Sequence, residues 1–328
     1  MNRIARIALL LLLLQLAACA SVTTAPSNRD RVIVLVGASS GFGKGAALAL
    51  ADQGARLVLA ARRTELLEEL VRECERRGVR AIAVTTEVNR EEEVAQLARR
   101  AVDEFGRIDV WINLAGVGAL GRFDEIPLAD HQKLIETNFI GVVNGSHHAM
   151  QQFRRQRNGT LINIGSVTGR ISLPYYSTYA ATKQAVVALG VALNQELRLN
   201  NERDIHVTTI NPYAADTPWF QHAANYSGHD PWMAWMDPPE RVVDVIVDAT
   251  LHPRREIHAG WKSKLFVTSH RIARRLTERI AANVTRRSLL SQPPAPPTSG
   301  SVHTPMPTGT GVEGGERASK KQQDGAQR

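Results

Sequence analysis

In the stretch "YAATK", Tyr179 and Lys183 stand four residues apart, a spacing that stacks them on one face of a helix. A phenol with an ordinary pKa near ~10 is a poor base at neutral pH, but a neighbouring ammonium stabilises its phenolate, so the pair could pass a proton. Ser166 follows the apolar run Thr160 to Ile164, where its hydroxyl would meet a substrate oxygen at a strand end. Asn138, inside a long helical stretch, is a buried amide suited to holding a water. No metal site is expected. The two cysteines are Cys19 and Cys74, Cys74 has no neighbouring His or Cys, and His222 and His229 are seven apart with no third ligand nearby.

Proton transfer alone is not a reaction, and the chain offers a nucleotide site beside it. "RVIVLVGASSGFGKGAALALADQGARLVLAARR" reads as an apolar strand, a Gly/Ser turn, an Ala/Leu-rich helix and a second strand, a βαβ unit. Gly37, Gly41 and Gly43 fall where the turn must be tight and the backbone must approach a pyrophosphate, with Ser39, Ser40 and Phe42 in the same loop. After the second strand an acidic residue would hold the adenosine ribose and repel a 2′-phosphate; here the chain has Arg62 and Arg63. A guanidinium pairs with phosphate, so NADP(H) is expected over NAD(H). The competing reading leaves both arginines facing solvent.

The elements that must position these groups follow in alternation: strand 81–85, helix 91–105, strand 108–112, helix 128–156, strand 160–164, helix 178–199 and strand 205–210, then a further helix and a final strand. Such alternation implies parallel pairing through right-handed crossovers. The expected fold is α/β, a Rossmann-like doubly wound parallel sheet in a single domain over 29–290, with the ligand crevice at the carboxyl ends of the strands and a C-terminal helical extension. Residues 291–328, which lack Phe, Trp, Tyr, Leu and Ile, read as a disordered tail.

Together these motifs resemble the short-chain dehydrogenase/reductase (SDR) family over about 31–217 of the chain. Gly37, Gly41 and Gly43 match its glycine motif, "NLAG" at Asn113 to Gly116 resembles its N-N-A-G turn, and Asn138, Ser166, Tyr179 and Lys183 match its tetrad in order. The resemblance implies hydride transfer between nicotinamide and a carbonyl or alcohol carbon. Tyr179 would be the general acid or base, Ser166 would polarise the same oxygen, Lys183 would hold the nicotinamide ribose, and Asn138 would keep a water leading to solvent. It further implies cofactor contacts at Glu87, Val88, Asn113, Ala115, Gly116, Pro212 and Thr217, besides Tyr179 and Lys183. The chain departs from the pattern at Val36, Leu114 and Glu87, and at Pro212-Tyr213 in place of Pro-Gly, which puts a ring near the expected nicotinamide. Trp219, Phe220, Tyr226, Trp232 and Trp235 fall in the family's substrate lid. They favour an apolar or ring-containing small molecule, or alternatively pack the lid or a subunit contact. Family analogy implies a homodimer or homotetramer. The alternatives on the same fold are a non-catalytic, NADP(H)-responsive binding protein and, with less in its favour, an epimerase or dehydratase.

The formal net charge of +8 is uneven, with arginines gathered over 254–287. No aromatic-interleaved basic patch accompanies it, so nucleic acid is not an expected partner. Ile272, Leu276, Ile280 and Val284 recur every fourth residue, which predicts a terminal helix packed on the domain with a solvated basic face, in preference to a membrane-surface helix. At the other end, Arg3 and Arg6 precede an apolar run from Ile7 to Leu16, and Leu16-Ala17-Ala18-Cys19 resembles a bacterial lipobox. Residues 1–28 are therefore expected to be a signal peptide or an N-terminal membrane anchor. Membrane association is expected, with lipid on Cys19 as one route, and the supply of cofactor favours the cytoplasmic face.

Overall fold

The computed structural model of the protein describes residues 27–318. The apolar run Ile7 to Leu16, the lipobox-like stretch and Cys19 lie outside the described residues.

Strand β1 (Val32–Val36) is buried on both faces, as the unbroken sequence VIVLV requires of a central parallel strand. Around it the chain lays down β2 (Arg56–Ala61), β3 (Ala81–Thr85), β4 (Val110–Asn113), a short β5 (Ala119–Leu120), β6 (Gly159–Ile164), β7 (Ile205–Pro212), a short β8 (Ala224–Asn225) and β9 (Glu256–Ala259). Seven of these form one parallel sheet in the order β3-β2-β1-β4-β6-β7-β9, and β5 pairs with β8 in a separate parallel ladder. The order reverses between β1 and β4, which opens a crevice at the carboxyl ends of both strands.

Helices α1 (Gly41–Asp52) and α2 (Thr64–Arg76) cover one face of the sheet, and α3 (Glu91–Phe105) lies on the other. Leu35, Leu50, Leu57 and Ile246 belong to the first core, and Val34, Leu97, Trp111 and Phe153 to the second. The helical stretch expected over 128–156 is broken: α4 (Leu128–Ile135) passes through a π-helical turn at Glu136–Ile140 into α5 (Gly141–Gln156). The 23-residue α6 (Ser177–Leu199) carries the Tyr179/Lys183 face. A short α7 (Trp219–His222) opens the lid, α8 (Pro239–Leu251) starts on proline, whose missing N–H costs nothing there, and α9 (Gly260–Ile272) and α10 (Arg274–Leu290) follow the last strand.

Two expectations are corrected here. The series Ile272, Leu276 and Ile280 does not pack on the domain: these side chains are 81%, 60% and 53% exposed. Helix α10 buries Thr277, Ala281 and Leu289 instead, on another face. The segment after 290 is not a free tail over the described residues. Main-chain bonds link Asp230 to Pro293 and Asn225 to Thr298 in both directions, and Ser301 donates to the His222 carbonyl. Its backbone groups, one buried apolar side chain, Val302, and the His303 ring, 2.8 Å from Asp130 Oδ1, hold the segment. Composition reports the absence of large apolar residues but is blind to backbone pairing.

Candidate active site

Gly37 ends β1 at φ +102°, where a Cβ would stand 2.6 Å from the Ala115 nitrogen at the end of β4, so only glycine lets the two strand ends approach this closely. A Cβ on Gly43 would meet the Gly37 carbonyl at 2.1 Å, so the first turn of α1 presses directly on the loop. This cradle lines one long cleft together with Ser39, Ser40, Gly41, Phe42, Arg62, Arg63, Glu87, Val88, Ala115, Gly116, Pro212 and Thr217. Ser166, Tyr179 and Lys183 line its other end. The donor set and the close approach of backbone fit a dinucleotide.

At the reactive end, Ser166 caps the short 3-10 turn Val167–Gly169 and accepts the Thr168 amide at 3.1 Å. Burial pushes the Tyr179 phenol up to about 12, and the neighbouring Ser166 hydroxyl only partly opposes this. Burial moves the Lys183 ammonium the other way, down to about 8. Lys183 Nζ donates to the Ile164 carbonyl at 2.8 Å and lies 5.7 Å from the Tyr179 ring centroid. The sequence led us to expect a lysine that lowers the tyrosine pKa; desolvation dominates both groups instead.

Two expected residues do other work. The fully buried Asn138 sits in the π-helical turn, where it accepts from Val117 N and donates to Val117 O, both at 2.8 Å, and contacts Thr182 Oγ1 at 3.3 Å. Its side-chain amide holds the loop after β4. The Asn113 side chain points below the sheet, accepting from Trp111 Nε1 and donating to Asn163 Oδ1, each at 2.8 Å, and does not line the cleft. Trp111 and Asn113 are two apart on a strand and so share a face, a periodicity that would have disclosed this orientation.

Arg62 and Arg63 do reach the cleft, but neither guanidinium is free. Arg63 donates to Ser39 Oγ at 3.0 Å and Ser40 Oγ at 2.8 Å, and through Nη1 to the carbonyls of Met306 and Thr308. Arg62 donates to the carbonyls of Ser301 at 2.8 Å and His303 at 3.3 Å, and lies 3.7 Å from Glu87. Ser301, Pro305 and Met306 thereby become part of the cleft wall, a contribution the composition of that segment gave no sign of.

The lid closes the reactive end with aromatics. The Trp219 indole fills the space above Gly118, where a Cβ would collide with it at 2.2 Å. The Tyr213 ring, suspected of crowding the nicotinamide, stacks on Phe266 with centroids 5.4 Å apart and donates its hydroxyl to the Ala234 carbonyl at 2.9 Å. It therefore anchors the lid while forming part of the cleft wall. Three hydroxyls in that wall, Thr137 Oγ1, Thr168 Oγ1 and Tyr176 OH, are buried with no hydrogen-bond partner. Cys74 is buried far from this chemistry, its thiol pushed up to about 11 chiefly by desolvation.

A family model described as short chain dehydrogenase matches residues 31–226. The uncharacterized oxidoreductase YxnA of Bacillus subtilis (strain 168) is 35% identical over 272 residues, 82% of this chain and 76% of its own. An alcohol dehydrogenase from the archaeon Thermococcus sibiricus, solved with 5-hydroxy-NADP, aligns with a TM-score of 0.60 at 25% identity, over 70% of this chain and 96% of its own. A short chain dehydrogenase/reductase from Burkholderia phymatum, solved with NAD, shares the fold with a TM-score of 0.69 at 24% identity, over 83% of this chain and 99% of its own.

Proposed function

The chain belongs to the short-chain dehydrogenase/reductase family and is an oxidoreductase; from that premise we propose that it interconverts a carbonyl and an alcohol with NADP(H), on an apolar or ring-containing small molecule. The observation that carries this reading is the convergence of Ser166, Tyr179 and Lys183 in the same cleft as the glycine turn. The dinucleotide, when bound, supplies or takes the hydride. The chain manages the oxygen and its proton. In reduction Tyr179, kept protonated by burial, donates to the carbonyl oxygen, and in the reverse direction it takes that proton back. Ser166 polarises the same oxygen from a fixed position, because the Thr168 amide pins its side chain. Lys183, tethered to Ile164 beside Gly116, would hold the nicotinamide ribose.

Trp219, Phe220, Tyr213 and Met233 in the cleft wall support an apolar substrate, and the unpartnered hydroxyls of Tyr176 and Thr168 support a second hydrogen-bonding group on it. Arg62, Arg63, Ser39 and Ser40 support NADP(H) as the dinucleotide. A panel of aliphatic and cyclic carbonyls, tested with NADPH and with NADH, checks the whole reading. Turnover with NADPH on ring-containing ketones is expected, and binding without turnover across the panel would overturn it.

The proposal includes attachment to a membrane with the domain on the cytoplasmic face, and association into dimers or tetramers. Among the described residues no helix is long and apolar enough to cross a membrane. The exposed Trp261, Leu265, Ile272, Leu276 and Ile280, alongside Lys264, Arg271, Arg275 and Arg279, support contact with an anionic surface. Exposed Leu128 and Ile135 on α4 and Leu199 on α6 support a subunit contact. Protease treatment of intact and lysed spheroplasts, with Cys19→Ala as control, tests the side of the membrane. Light scattering of the purified protein tests the oligomer.

A further inference from the structure

After leaving α10 the chain runs along the lid, crosses the adenosine end of the cleft and returns to the base of the lid. Its crossing is made almost wholly by carbonyl oxygens. Ser301 and His303 accept from Arg62, Met306 and Thr308 from Arg63, Thr310 from Lys44 Nζ at 3.2 Å, and Gly311 from the Gly41 amide at 2.9 Å. The far end is pinned to Asp216, whose carboxylate accepts the amides of Glu316 and Arg317 at 3.0 and 2.9 Å. The groups bound in this way are two guanidiniums, an ammonium and a glycine-loop amide, the kinds of donor that take phosphate oxygens.

We infer that the segment 301–308 is a specificity element of the dinucleotide site, a strap whose carbonyls compete with the cofactor 2′-phosphate for Arg62 and Arg63. The inference rests on the dinucleotide-dependent function proposed above. NAD(H), which has no 2′-phosphate, leaves those guanidiniums to the strap. NADP(H) must take them from it, so the strap detaches over 301–308 as that cofactor binds. A carbonyl carries only a partial charge and a phosphate a full one, so the exchange favours the phosphate once bound, while the closed strap lowers the apparent affinity by the fraction of molecules it occupies.

Gly300 provides the test in the full-length chain. It sits at φ +51°, and a Cβ there would stand 2.3 Å from the His222 carbonyl oxygen and 2.6 Å from that of Ala223, so Gly300→Val dislodges the start of the strap without touching a donor of the site. NADPH and NADH dissociation constants are measured for both proteins, and hydrogen exchange over 301–317 is followed in the wild type with each cofactor. Expected are an NADPH constant lowered about tenfold by the substitution with the NADH constant within about twofold, and exchange accelerated by NADPH but not by NADH. Weaker NADPH binding by the variant, equal changes for both cofactors, or exchange slowed by NADPH would overturn the inference and make the strap a roof that closes on bound cofactor. If the wild type binds neither dinucleotide, the proposed function fails first. The wild-type exchange experiment stands even where the variant folds poorly.

Discussion

The indole of Trp219 lies against the phenol of Tyr179, ring centroids 5.0 Å apart, so the proton-carrying group is roofed by the first residue of the lid helix. Proton chemistry and lid position are thereby joined in one contact. Tyr179→Phe keeps the ring and this packing and removes only the proton. Turnover is expected to fall by about 10²–10⁴-fold with cofactor binding unchanged, read by steady-state rates beside a fluorescence titration.

The pH dependence should separate the two directions of reaction. With Tyr179 held near 12, carbonyl reduction is supplied with a protonated phenol throughout the neutral range and should show no loss from this group below about pH 8. Alcohol oxidation needs the phenolate and should rise about tenfold per pH unit through the alkaline range. Single-turnover rates in both directions check this, and equal pH profiles would contradict it.

Lys183 adds a pH dependence of stability. Its ammonium titrates near 8 in the folded protein against an ordinary 10.5, so between those values the unfolded chain binds the extra proton. This contribution to stability rises with pH across the window and is lost as pH falls through 8. The difference in Tm between wild type and Lys183→Met should therefore shift in favour of the wild type from pH 8 to pH 10.

Tyr176→Phe removes a hydroxyl that has no partner, so the folded protein loses no hydrogen bond and Tm should hold or rise. If a polar group of the substrate meets that hydroxyl, KM rises up to about tenfold at little cost in kcat. An unchanged KM over the carbonyl panel would remove Tyr176 from the substrate contacts.

Asn138→Ala leaves the N–H and C=O of Val117 without partners inside the protein. A loss of about 1–3 kcal/mol for each unsatisfied group is expected, visible as a lower urea midpoint. Because the loop it holds runs beside Lys183, activity should fall together with stability.

Strand limits came through from the sequence because buried parallel strands are written as apolar runs; the fourth, expected at 108–112, forms at Val110–Asn113. The glycine turn and the Ser166/Tyr179/Lys183 set were legible because their chemistry fixes residue types at fixed spacings. The π-helical turn was not. It alters the ladder spacing by one residue, with no compositional mark, and that change sets the direction of Asn138. The strap was hidden for a different reason: its carbonyls belong to every residue type, so no side chain announces it.

Residues 301–317 leave the ribosome after every strand of the main sheet, including β9, has been made. The domain can therefore collapse around an open cleft first, with strap closure as a late event of its assembly. If the strap competes as inferred, a chain in that interval would meet dinucleotide before its own carbonyls had closed on Arg62 and Arg63.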